Sequence, residues 1–105
     1  MAYYVIEYRY NPELKTLVRD ARPAHRSFLR NLESTGVIIG AGFFKDVSFD
    51  GGMAIMRADS AVEAETLFSQ DPFMVAGLLE DVRIRQWIPT IGRLAANFDT
   101  EFPIS

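Results

Sequence analysis

At 105 residues, 49% of them hydrophobic, the chain has room for one domain and one core. Fourteen acidic residues against eleven basic ones give a formal charge of −3 with the signs interspersed, which argues against nucleic acid as a partner. There is no cysteine and a single histidine, His25, so disulfides, thiolate sites and structural zinc are set aside and neither metal nor cofactor is expected.

The N-terminus MAYYVIEYRY lacks a basic start followed by an apolar run, and no stretch approaches the roughly 20 apolar residues that span a bilayer. The expectation is a cytoplasmic protein without a membrane partner. Residues Tyr3 to Tyr10 alternate, with Tyr4, Ile6, Tyr8 and Tyr10 on one parity and Glu7 and Arg9 on the other, which is a strand pattern ended by Asn11-Pro12. Leu14 to Ala21 reads either as a short helical turn or as a loop. Arg22-Pro23 is the stronger start signal, because proline suits a first helical turn and disfavours the helical conformation before it. From there His25, Phe28, Leu29 and Leu32 mark one helix face, and Gly36 supplies the stop.

VIIGAGFF (Val37 to Phe44) reads as a buried strand, the next segment as a turn around Asp50-Gly51, and Met53 to Ala58 as the returning strand. Ser60 with Glu63 forms a capping box for a second helix reaching about Gln70. Asp71-Pro72 interrupts it, FMVAGLLE adds one or two turns, and Val82 to Ile88 alternates as a last strand.

The order βαββαβ predicts an α+β, ferredoxin-like sandwich over residues 1–88, with both helices on one face of an antiparallel sheet. The other face then carries Trp87, Phe43 and Ile55 among charges and calls for a cover. A homodimer packed sheet to sheet, in the manner of a dimeric α/β barrel, supplies one. The tail 89–105, with Ile91, Leu94, Phe98 and Phe102, is expected to pack on the dimer partner.

A right-handed crossover brings the start of the first helix, the end of the second and the end of the first strand to one edge of the sheet. His25, Arg22 and Asp71 meet there. An imidazole that titrates near neutrality, oriented by a carboxylate, is suited to general acid/base work, and a guanidinium beside it can hold an anionic oxygen. Tyr8, Tyr10 and Phe44 are candidate walls of the same small-molecule pocket. Each residue also has a structural reading: His25 as packing, Arg22 as a solvated charge, the tyrosines as sheet packing, and Asp71 as a helix N-cap contributing about 1 kcal/mol. As a pocket-facing group, His25 is expected to be removable at little cost in stability. Gly40-Ala41-Gly42 lies inside a strand with no helix after it, so it is no dinucleotide loop; it suits close approach of a ligand or backbone.

Three stretches, RPAHRSFL (22–29), GVIIGAGFF (36–44) and DPFMVAGLLEDVRIRQW (71–87), together resemble the YCII-related family of the dimeric α/β-barrel class. The resemblance implies that His25 and Asp71 are the active-site pair, with Arg22 their neighbour. It also implies dehydrochlorination of a chlorinated hydroxyquinol as the enzymatic precedent, with muconolactone isomerases among related barrels. The chain departs from the common pattern at Phe43, where many relatives have proline, and in its longer tail. Three functions stand open. One is a cofactor-independent isomerase or lyase acting on a small cyclic or aromatic acid through His25 and Asp71; another is a non-catalytic dimer that binds or senses a small metabolite; the third, which a histidine and an aspartate at one edge disfavour, is a structural dimer.

Overall fold

A computed structural model of the chain describes residues 1–45 and 51–97. Its strands are β1 (Ala2–Tyr10), β2 (Ile38–Phe43), β3 (Gly51–Ala58) and β4 (Leu79–Trp87), and its helices are α1 (Lys15–Ser34), α2 (Ala61–Phe68) and the one-turn α3 (Pro72–Val75). The strands form one antiparallel sheet in the order β2-β3-β1-β4, which is the ferredoxin-like arrangement. Among the described residues, no helix is long and apolar enough to cross a membrane.

The alternation of β1 decides which way the sheet faces. Tyr4, Ile6, Tyr8 and Tyr10 point to the helical layer and are buried there, opposite Met56 and Ala54 of β3 and Ile84 and Val82 of β4. Phe68 of α2, Phe73 of α3 and Val18 and Leu29 of α1 close the core over them. The other parity forms the outer face, where Tyr3 lies against Trp87 and Arg85 donates to the Glu7 carboxylate. These two side chains are diagonal neighbours across the β1–β4 pair, since Glu7 stands opposite Arg83 and Arg85 opposite Val5.

The first helix begins earlier than Arg22-Pro23. Asn11 accepts from the Glu13 amide and opens a 3₁₀ turn at Pro12–Leu14 that leads directly into α1, so Pro23 stands inside the helix. Proline there forfeits one backbone hydrogen bond. The apolar stripe runs through it regardless: Leu14, Val18, Ala21, His25, Phe28, Leu29 and Leu32 all contribute to the core or pack beside it. Burial along that stripe outweighs the local preference of one proline. Gly36, at φ +81°, ends the helix as its position suggests.

Of the turn placed around Asp50-Gly51, Asp50 lies outside the described residues and Gly51 opens β3. In the tail, Pro89 is fully buried and Ala95 is 7% exposed, whereas Ile91 is 93% exposed; Phe98 and Phe102 lie outside the described residues.

Candidate functional site

Three local features aim the polar groups at one point. Asp71 ends the run of α2 with an extended backbone, at φ −60° and ψ 135°, and its Oδ1 accepts the Phe73 amide at 2.8 Å, so it is the N-cap of α3 with Pro72 in the first turn. Its second oxygen is left to face α1. There Oδ2 accepts from Nδ1 of His25 at 2.7 Å. Capping and pairing, which stood as alternatives in the sequence, are performed by different oxygens of one carboxylate.

A carboxylate only accepts, so the imidazole carries its proton on Nδ1 and turns a lone pair outward on Nε2. Tyr8 from β1 points its hydroxyl at that atom, 3.3 Å away. The imidazole also stacks on Phe73 with ring centres 4.0 Å apart and planes 13° from parallel. His25 is therefore a buried residue, 5% exposed, and Asp71 is fully buried. The expectation that His25 can be removed at little cost is corrected by this environment. Truncating it to alanine abandons a buried carboxylate and a stacked aromatic partner, a change of the kind that costs about 3–5 kcal/mol.

Burial drives the Tyr8 phenol well above its ordinary pKa, and the nearby Tyr10 and Asp71 push the same way against the opposing pull of Arg22 and Arg26. Tyr8 consequently remains a donor at any physiological pH. Tyr10 is also raised by burial, with Arg22 lowering it through a hydrogen bond and through its charge. The Arg22 guanidinium carbon lies 5.9 Å from the centre of the Tyr10 ring.

These side chains line a cleft of about 390 Å³ between α1 and the edge strand β2, a size suited to a small organic ligand. Tyr8 and Tyr10 line it from the sheet, and Arg22 and His25 from the helix, so four of the sequence-derived site residues share one cavity. Asp71 does not line it; it stands behind His25. Phe44 is not part of the lining either. Its amide is tied to Gly51 O at 2.9 Å, and the neighbouring Phe43 lines the cleft instead.

Two sets of residues escaped the sequence reading. Arg26, Arg30 and Glu33 line the cleft along α1, and their spacing of four and three residues after Arg22 was a readable sign that they share its face. The second set is Gly51 and Gly52. Of the ligand or backbone approach expected at Gly40 and Gly42, the backbone alternative occurs here instead, since a Cβ on Gly40 or Gly42 would meet nothing within 4 Å; those two glycines line the cleft. On Gly52 a Cβ would lie 2.4 Å from the Gly42 carbonyl oxygen and 2.5 Å from the Tyr8 hydroxyl. Gly52→Ala is thus expected to displace the Tyr8 hydroxyl and to cost about 1–3 kcal/mol through overpacking. A thermal melt within a degree of wild type, together with an unshifted Tyr8 ring resonance, would contradict this.

A family model for the YCII-related domain matches residues 1–88. Among solved structures, a 5-chloro-2-hydroxyhydroquinone dehydrochlorinase from Burkholderia phenoliruptrix, in complex with 2,5-dihydroxybenzoquinone, superposes with a TM-score of 0.72. It is 24% identical over 81% of this chain and 92% of its own. An antibiotic biosynthesis monooxygenase follows at 0.55, with 11% identity over 85% of this chain and 98% of the other. A NIPSNAP family protein from Agrobacterium tumefaciens gives 0.53, with 15% identity over 84% and 91%. At these identities the likeness is one of fold. No curated protein matches the chain significantly in sequence.

Proposed function

The chain belongs to the family of YCII-related domains, and on that premise we propose that its cleft carries out cofactor-independent proton transfer on a small cyclic or aromatic acid. The observation that carries this reading is the hydrogen-bonded sequence Asp71–His25–Tyr8, which begins in the core and ends in a cavity of ligand size. His25 Nε2 is the base. A substrate entering the cleft replaces the long contact from Tyr8, and Nε2 takes a proton from a carbon next to a carbonyl while Asp71 stabilises the imidazolium that forms. The electron pair of the broken C–H bond moves onto the carbonyl oxygen. The Tyr8 hydroxyl, kept protonated by burial, donates to that oxygen. Collapse of the enolate then either takes the proton back from His25 at a different carbon, an isomerisation, or expels a leaving group such as chloride, an elimination. The structural neighbour is named for a dehydrochlorination, a net loss of HCl. Arg22 holds an anionic oxygen of the substrate and orients it.

The test is deuterium wash-in. Incubated in D₂O with a panel of cyclic and aromatic keto acids and with 5-chloro-2-hydroxyhydroquinone, the protein should incorporate deuterium at an acidic carbon or release chloride. Tight binding of panel members with neither reaction would favour a metabolite-binding or sensing module, for which the buried Nε2–Tyr8 contact is then the resting state.

The working unit is a homodimer joined through the outer sheet face. That face has half-buried Val5, Met53 and Ile55 at its centre and Trp87 38% exposed, and it carries acids (Glu7, Asp81) and bases (Arg57, Arg83, Arg85) together. A surface holding both signs can complement itself across a two-fold axis, and the exposed Ile91 of the tail is available to the same partner. Sedimentation at micromolar concentration should return twice the chain mass of 11.9 kDa. A monomer under those conditions contradicts the dimer.

A further inference from the structure

Arg22, Arg26 and Arg30 follow one another at four-residue intervals on α1, and all three line the cleft. Along a helix this spacing places successive residues about 6 Å apart on one face. Among the described residues none of the three is in an ion pair, whereas Arg19, Arg83 and Arg85 each have a carboxylate partner. The carboxylates near the cleft offer little relief. Asp71 spends both oxygens on Phe73 and His25, and Glu33, at the far end, forms no ion pair with Arg30. A chain of net charge −3 thus gathers three guanidinium groups along one wall of its cavity.

The opposite wall brings no charge to offset them. It is built from Gly40, Ala41 and Gly42 of β2, and Glu33 is the one acidic residue among the described residues that line the cleft. Arg22 lies next to Tyr10 and one turn from His25, so it serves the reacting end of the cleft. Arg26 and Arg30 lie about one and two turns further along the helix. We infer that the cavity selects dianions: one acidic group is held by Arg22 beside His25, and a second, roughly 6–12 Å away, by Arg26 and Arg30. The guanidinium fork favours planar carboxylate groups at both ends. This inference rests on the cleft being the substrate site, and it narrows the substrate class from an acid to a rigid diacid.

Calorimetric titration with two inert probes tests it: benzoate, with one carboxylate, and terephthalate, with two across the same ring. Terephthalate should bind at least about tenfold more tightly than benzoate to the wild type. In the double variant Arg26→Gln/Arg30→Gln that advantage should vanish, while benzoate weakens no more than about threefold, the loss expected from long-range charge alone. Equal affinities in the wild type, including no binding of either probe, overturn the inference, as does a terephthalate preference that survives in the double variant. Because the readout is binding, it is separate from turnover. Diacid selectivity without deuterium wash-in would refute the catalytic reading and leave this one standing, and wash-in without diacid selectivity would do the reverse.

Discussion

Asp71→Asn is expected to lower turnover by about two to four orders of magnitude while leaving the melting temperature nearly unchanged. The carboxamide oxygen can still accept the Phe73 amide, and asparagine caps a helix about as well as aspartate, so α3 keeps its start. What changes is the other position. Where Oδ2 accepts from His25 Nδ1 at 2.7 Å, the variant presents an NH₂ group, and two donors cannot share one hydrogen bond. The imidazole relieves this by moving its proton to Nε2 and accepting at Nδ1. Nε2 is then a donor facing the cleft and no longer a base. A drop of this size follows the same carboxylate-to-amide change in serine-protease triads, where the wrong tautomer is likewise the cause. Steady-state rates and a melt on the same preparation check it; a variant that retains full turnover shows the carboxylate to be a cap and nothing more.

Asp71→Ala should instead be a stability variant, losing about 2–4 kcal/mol. The missing cap accounts for about 1 kcal/mol. Leaving the buried Nδ1–H of His25 without an acceptor adds about 1–3 kcal/mol. For a domain of this length that corresponds to a fall in melting temperature of roughly 10–25 °C. The contrast with Asp71→Asn is the informative part, since only the two-oxygen arrangement predicts one variant that is stable and inactive and another that is unstable. Equal melting temperatures for the pair would mean that neither contact matters to folding.

The fold was legible in the chain because its strands and helices bury one face each. The strict alternation of Tyr4, Ile6, Tyr8 and Tyr10 and the stripe from His25 to Leu32 report that burial directly, and the Ser60 cap and the Gly36 stop are local chemistry. The start of α1 was misplaced because Pro23 is a strong local signal and the packing of Val18 under the helix is not local. Topology brought His25 and Asp71 to the same edge, although 46 residues separate them. It could not say that they touch, nor that Phe73 would stack on the imidazole and bury it, because those depend on the path of a four-residue helix. The aromatic residue of the cleft wall was assigned to Phe44 in place of Phe43; a β2–β3 register irregularity between Ile38 and Gly40 alters the facing of the residues after it. Gly52 gave no sign of its function, since what forbids a side chain there is the Gly42 carbonyl of the neighbouring strand together with the Tyr8 hydroxyl, contacts that only the assembled sheet creates.

The central claim is that His25 Nε2 removes and returns a carbon-bound proton. His25→Asn isolates it, because the asparagine NH₂ can stand where Nδ1 stands and keep Asp71 paired, while the second nitrogen is gone. The decisive measurement is deuterium incorporation from D₂O into the cyclic acid that the wild type exchanges fastest, followed by NMR in both proteins. The account predicts that the variant remains folded and exchanges more slowly by about two to four orders of magnitude. Exchange at the wild-type rate in folded His25→Asn would contradict it.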